Sequence, residues 1–141
     1  MRHPGGRGDR GQASAFLIGV LLLGLALAGL AVDGGRMFTV RRDLSAIADA
    51  AALAGAGAID EEAYRASDGE DAHLDPDRAR LEVARVLRAS PAAAGARVDV
   101  VVDAQRVTVH LAREVPTTLL GAIGVDARTI GATATAEPAV R

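Results

Sequence analysis

The sequence predicts an α+β protein in which a single N-terminal transmembrane helix continues into an amphipathic helix and then into a small head. Three observations predict this class. Residues 13–32 carry no charge, apolar residues then recur with helical spacing, and the last fifty residues alternate between apolar and polar side chains. The head should therefore combine one helix with a roughly three-stranded antiparallel sheet.

Composition excludes several classes of function. The chain has 141 residues and a formal net charge of −2, so it has no basic excess with which to bind nucleic acid. The absence of Cys removes disulfides and thiolate chemistry. With no Trp, one Tyr and two Phe, the chain has almost no aromatic platform for stacking a base or sugar. We expect no cofactor and find no evident small-molecule substrate.

The transmembrane prediction depends on residues 13–32. Eleven of these twenty residues are Phe, Leu, Ile or Val, and twenty helical residues span about 30 Å, the thickness of the hydrocarbon core. The eleven large apolar residues contribute about −3 to −7 kcal/mol of insertion free energy. Residues 1–12 are predicted to be a disordered tail rich in Arg and Gly. This tail carries Arg2, Arg7, Arg10 and the α-amine, a slightly denser cluster of positive charge than the arginines that follow the span. The positive-inside rule therefore favours an N-terminus in the cytoplasm.

Residues 33–58 are predicted to form an amphipathic, Ala-rich helix, with a bend at the Gly34-Gly35 pair. One apolar stripe contains Val40, Leu44, Ile47, Ala51 and Ala54, and the opposite face contains Arg42, Ser45 and Asp49.

Residues 59–76 are predicted to be an acidic loop, since eight carboxylates and one Arg lie between Asp60 and Asp77. A calcium site is the alternative, with candidate ligands Asp68, Glu70, Asp71, His73, Asp75 and Asp77. Their spacing does not match a calcium-binding loop, so we expect no metal.

Residues 77–141 are predicted to be a small α+β domain. Asp75-Pro76 is typical of a helix start, and that helix should reach about Ala89 with Ala79, Val83, Val86 and Leu87 on one face. Alternating residues 98–102 and 107–112 then predict a hairpin, with Asp103-Ala104-Gln105 between its strands. A helical turn at residues 117–123 and a third strand at residues 125–136 complete the domain.

Two sequence motifs resemble those of the TadE/TadG-like proteins of Tad (tight-adherence, Flp-type) pilus assembly systems. One is Val32-Asp33-Gly34-Gly35-Arg36 at the end of the span, and the other is Ala48-Asp49-Ala50-Ala51-Ala52-Leu53-Ala54. The resemblance covers about residues 10–56. It implies a pilin-like head and a non-enzymatic, membrane-anchored component of a pilus or secretion apparatus, either minor pilin-like or pseudopilin-like. The implied partners are the bilayer and other Tad pilus or pilin-like proteins.

Several residues are candidate sites on this basis. Gly11 could precede a prepilin-type cleavage point, although Phe16 stands where relatives that are cut carry Glu. Asp33 and Arg36 are spaced for an ion pair that either ends the span or docks a partner. Gly35 and Asp49 belong to the family motifs. The small residues Ala15, Gly19, Gly24 and Ala28 are candidates for close helix packing.

Two other functions remain open. The first is a secreted soluble protein, with Arg2 to Arg10 as the n-region of a signal peptide, Phe16 to Leu25 as its h-region and a cut after Ala28. The apolar run continues to Val32, past that cut, which favours an anchor instead. The second is a membrane-anchored binding module unrelated to pili. No catalytic motif is present, so the sequence predicts a protein that is not an enzyme.

Overall fold

The computed structural model describes residues 8–68, 72–124 and 126–139. Its first element is one uninterrupted helix of 49 residues, α1 (Gly8–Ala56). The short helix α2 (Glu61–Ala66) and the longer α3 (Pro76–Ala89) follow. The strands β1 (Arg97–Val102), β2 (Val107–Pro116) and β3 (Ala127–Ala136) form an antiparallel sheet in the order β1-β2-β3. Two 3₁₀ turns occupy Pro91–Ala93 and Leu120–Ile123. The α+β class is confirmed.

The glycine pair does not interrupt α1. Helix propensity alone disfavours Gly34 and Gly35 by about 2 kcal/mol relative to alanine, but tertiary packing overrides propensity. Here the helix is held on both sides of the pair, by contacts of Asp33 and by burial from Leu44 onward. Helix also begins at Gly8, so residues 8–12 are helical where a disordered tail was expected; residues 1–7 lie outside the described part of the chain.

The segment predicted to be an acidic loop contains ordered structure. Asp60 caps α2 by accepting the backbone N–H groups of Glu62 and Ala63, each at 3.0 Å. Ile59 and Leu74 form an isolated antiparallel bridge, and the Asp75 N–H donates to the carbonyl of Ala58 at 2.9 Å. The start of α3 agrees with its sequence signal, because the Asp75 carboxylate accepts the N–H groups of Asp77 and Arg78.

The head, which we define as everything after α1, packs against the C-terminal half of that helix. α1 contacts α3, β2 and β3, and α3 contacts β1. The fully buried apolar side chains on α1 are Leu44, Ala48, Ala51 and Ala52; those of the head include Val83, Val107, Val109 and Leu111. Ala48 and Ala52 lie outside the predicted stripe, so the buried face of α1 is wider than the sequence pattern indicated.

Strand β2 matches in length the segment of α1 between Asp33 and Gly55. The Cα of Gly55 faces the side chains of Val83 and Val107 at the start of β2, while Asp33 binds residues just beyond the end of β2. Twenty-two helical residues rise about 33 Å, and a ten-residue strand also spans about 33 Å. The strand therefore runs along the helix from Gly55 to Asp33. The residues that follow the strand reach the C-terminal end of the predicted span.

Candidate functional site

Asp33 joins the helix to the head. Its Oδ1 accepts the backbone N–H of Thr118 at 3.0 Å, and its Oδ2 accepts those of Leu119 and Leu120, both at 2.9 Å. The residue is only 2% exposed. We call residues 117–124 the Asp33-bound turn; it contains the 3₁₀ turn and ends at Gly124, whose φ of 88° suits glycine. One carboxylate thus satisfies three consecutive backbone donors.

The same contacts set the charge state of Asp33. The N–H groups of Leu120 and Thr118 lower the pKa of its carboxyl below the ordinary value of 3.8, and burial opposes them. The N–H of Leu119 and the positive charge of Arg36 lower this pKa further. Because hydrogen bonds favour the ionised form, Asp33 is a carboxylate at neutral pH.

The structure gives Asp33 different partners from those expected. Within the described residues, the ion pairs are Arg65–Glu61, Arg80–Asp77, Arg85–Glu82 and Arg106–Glu137, and none joins Asp33 to Arg36. The expected i, i+3 pair is therefore wrong as a contact, although the charge of Arg36 still acts on Asp33. The carboxylate of Asp33 is engaged by the head of its own chain, whereas Arg36 and Asp49 are exposed.

Sequence reasoning missed the role of Asp33 because its partners lie 85 to 87 positions away. A physical signal was nevertheless present. An acidic residue directly after an apolar span is costly to bury unless backbone donors surround it. The chain has a stretch without charge at residues 115–125, between Glu114 and Asp126, and that stretch supplies the donors.

The predicted span has no cover from the head along most of its length. Its large apolar side chains are 49% to 74% exposed, from Val20 to Phe16. This helix is long and apolar enough to cross a membrane, with a mean hydropathy of 2.7 in its most apolar window and 6% of that window buried. Gly29 is the exception, since a Cβ there would lie 2.8 Å from the Cβ of Leu119.

The four small residues of the span form two pairs rather than one face. Nothing lies within 4 Å of a Cβ built on Gly19 or Gly24, and Ala15 and Ala28 are exposed. Gly19 and Gly24 are five residues apart, which places them about 140° apart around the helix. Any close packing through Ala15 and Gly19 would therefore use a different side of α1 from packing through Gly24 and Ala28. Gly11 is exposed and lies inside the helix.

A row of polar side chains crosses the outer face of the sheet. Asp99, His110 and Thr133 are register partners on the three strands, and His110 Nδ1 lies 2.9 Å from Thr133 Oγ1. The row contributes to an open groove of about 860 Å³ that also reaches Arg41 and Ser45 of α1. In a hydrolytic triad the acid binds Nδ1 and the nucleophile binds the other ring nitrogen. Here the hydroxyl occupies Nδ1, so the row has the residue types of a triad without its geometry.

The acidic cluster forms no metal site in the part of the chain that the structure describes. Glu70 and Asp71 lie outside that part. Asp75, another of the candidate ligands, uses its carboxylate to cap α3.

Comparison with known proteins assigns the N-terminal third of the chain. The family model Tad, described as Flp pilus-assembly TadE/G-like, matches residues 11–58. No curated protein and no solved structure matches the chain. The matched segment covers nearly all of α1 and includes Asp33, Arg36 and Asp49. Proteins of this family are components of pilus assembly, and the family is not a known family of enzymes. Residues 11–58 therefore match the TadE/TadG-like family of the Tad (Flp-type) pilus assembly systems.

Proposed function

We propose that the chain is a single-pass membrane component of a Tad/Flp-type pilus assembly or secretion apparatus, pilin-like in organisation. Residues 13–32 anchor it, and the head stands on the extracytoplasmic side. The observation that carries the proposal is the division of α1. One half of this continuous helix is exposed and apolar, and the other half shares a buried core with the head.

The exposed half supports an anchor because water is a poor solvent for it. Phe16, Leu21 and Leu25 are 74%, 71% and 64% exposed, and contiguous apolar surface of this extent is typical of membrane or protein contacts. A helix also satisfies its own backbone groups, as the hydrocarbon core requires. Lipid and the helices of neighbouring pilus proteins are the partners that fit this surface.

Membrane location can be tested by fractionation and N-terminal sequencing of the expressed full chain. We expect the protein to remain in membranes after an alkaline carbonate wash and to retain residues 12–32. An N-terminus at Gln12 in membranes would show prepilin-type processing after Gly11 and would leave the anchor intact. A soluble protein that begins at Gly29 would overturn the anchor.

The secreted form is the second candidate, and one observation favours it. From residue 11 onward, Gly29 is the first residue of α1 that is buried against the head, and residues 11–28 are exposed. A cut after Ala28 would therefore leave the head with Asp33 and all of its core. The sequencing experiment above separates this candidate from the anchored form.

Orientation can be tested with single cysteines because the natural chain has none. Gln12 and Ala89 are exposed and lie on opposite sides of the predicted span. In intact cells whose outer membrane has been permeabilised, a membrane-impermeant maleimide should label Ala89→Cys and spare Gln12→Cys. The reverse pattern would place the head in the cytoplasm.

Helix packing through Gly24 and Ala28 is part of the proposal. Gly24 and Asp33 are nine residues apart, so they lie about 180° apart around α1. A second helix could approach Gly24 closely without meeting the head, because small residues permit short interhelical distances. Exposed Arg36 and Asp49, which form no ion pair within the described residues, could contact the partner above the membrane.

The packing proposal predicts that Gly24→Leu weakens self-association or co-purification with pilus proteins. Ala26→Leu is the matched control, since Ala26 is also exposed and lies on the opposite side of the helix from Gly24. Crosslinking in membranes measures both variants. Equal crosslinking of Gly24→Leu and the natural chain would contradict packing through this face.

A further inference from the structure

The Asp33-bound turn reaches past the C-terminal end of the predicted span and lies beside Gly29, within residues 13–32. The Cβ, Cδ1 and Cγ of Leu119 lie 2.8, 2.9 and 3.3 Å from the position that a Cβ of Gly29 would take. Gly29 precedes Asp33 by four residues, a rise of about 6 Å. If residues 13–32 lie in the bilayer, this part of the head lies beside them at the level of the headgroup and acyl boundary.

The turn has the composition of a membrane-contacting segment. Residues 115–125 contain no charged side chain, and Leu119 remains 42% exposed although it packs on Gly29. An exposed leucine in an uncharged turn at this depth would bury its side chain in lipid, which favours the contact by the apolar area removed from water.

Most of the backbone N–H groups of the turn are hydrogen-bonded within the protein, as an apolar environment requires. Unpaired N–H groups are costly in a medium that cannot hydrogen-bond them. Asp33 accepts the N–H groups of Thr118, Leu119 and Leu120. The Thr117 N–H donates to the carbonyl of Asp126 at 3.0 Å, and that of Gly124 donates to the carbonyl of Gly121 at 3.1 Å. At least five of the eight backbone N–H groups of the turn are therefore paired within the protein.

We infer that the Asp33-bound turn is a second membrane contact, in which Leu119 inserts into the lipid boundary beside α1. The partner is the lipid surface itself, and the argument for it is the continuity of the turn with the span at Gly29. The inference rests on the anchor proposed above. It adds that the protein meets the bilayer at two points, so that the head and the packed half of α1 cannot tilt freely together over the membrane surface.

Single tryptophans test the inference, because the natural chain has no Trp and each reporter is unambiguous. The full chain is reconstituted in phosphatidylcholine vesicles, with or without lipids brominated near the headgroup end or the middle of the acyl chain. Leu119→Trp should emit at a blue-shifted wavelength and lose most of its emission to the shallow bromines. Leu81→Trp, at a position on α3 that is 65% exposed, is the aqueous control. It should be quenched by acrylamide and not by lipid.

Two further reporters keep the result interpretable. Thr118→Trp tests the turn without replacing the side chain that packs on Gly29, in case Leu119→Trp disturbs the contact. Leu23→Trp, 62% exposed in the middle of the span, should be quenched most by the deep bromines. If both turn reporters behave like Leu81→Trp while Leu23→Trp is quenched by lipid, the second contact is wrong and the anchor stands. If Leu23→Trp also escapes lipid quenching, the anchor fails and the inference fails with it.

Discussion

The two halves of α1 share one backbone and differ in the size of their apolar side chains. Residues 13–32 contain seven leucines, and all seven are exposed. The buried face of residues 33–56 is mostly alanine, since Ala48, Ala51 and Ala52 are at most 1% exposed beside the fully buried Leu44. Large side chains maximise the apolar surface offered to lipid. Small side chains let α3 and the sheet approach the helix axis closely.

This difference separates two kinds of hydrophobic helix that hydropathy alone does not distinguish. The span is apolar around its whole circumference, whereas the packed half is apolar on one side and carries Arg41, Arg42 and Asp49 in exposed positions. The stability of the head should accordingly depend on single side chains in residues 33–56 and not on those in residues 13–32.

The largest expected effect is that of Leu44→Ala. Leu44 is fully buried between α1 and the head, so its truncation should lower the free energy of unfolding of the head by about 2–5 kcal/mol. Leu21→Ala is the matched control, because Leu21 is 71% exposed. Pulse proteolysis in urea, on the chain in detergent micelles, measures both. An equal loss in the two variants would contradict the division of α1.

The same substitution at two glycines gives the next largest contrast. A Cβ on Gly55 would lie 2.8 Å from Val83 Cγ2 and 3.1 Å from Val107 Cγ1, and both valines are buried. Gly55→Leu should therefore lower the unfolding free energy by about 1–3 kcal/mol through overpacking. Gly24→Leu meets open space and should leave head stability unchanged in the same proteolysis assay. A Gly55→Leu variant as stable as the natural chain would show that Val83 and Val107 can move to make room for the larger side chain, contrary to this prediction.

Sequence patterns located most of this architecture because their signals are local. Asp75-Pro76 specifies the start of α3, and the alternation of residues 98–111 specifies the hairpin. Strand β3 begins at Ala127, near the expected residue 125, which itself lies outside the described residues. The contacts of Asp33 could not be predicted in this way, since they join residues 85 or more positions apart. Periodicity also cannot tell an alanine that is buried from one that is merely compatible with a helix, and so Ala48 and Ala52 were missed.

Asp33 should give a smaller, local effect that depends on pH. Because the folded state lowers the pKa of this carboxyl below 3.8, its contribution to stability is complete above that value and is lost as the pH falls through the folded pKa. Asp33→Asn should loosen the turn at neutral pH and remove its acid dependence. Amide NMR of residues 118–120 measures this change.

Asp49→Asn is the control for that measurement, since Asp49 is exposed and remote from the turn in the chain. It should retain the acid transition of the natural protein at residues 118–120. If Asp33→Asn retains the same transition as well, another group holds the turn.

The smallest expected effect lies within the packed half itself. Leu53 is 70% exposed on α1, although Ala51 and Ala52 beside it are buried. Leu53→Ala should change the unfolding free energy of the head by no more than about 0.5 kcal/mol, as for other surface substitutions. Pulse proteolysis beside Leu44→Ala measures the difference, and a loss as large as that of Leu44→Ala would mean that Leu53 is covered in the folded protein. If Leu53→Ala has no effect, the loss of unfolding free energy depends on the face of the helix and not merely on the segment. Truncating leucines on opposite faces of residues 33–56 would then differ in effect as much as truncating leucines in opposite halves of α1.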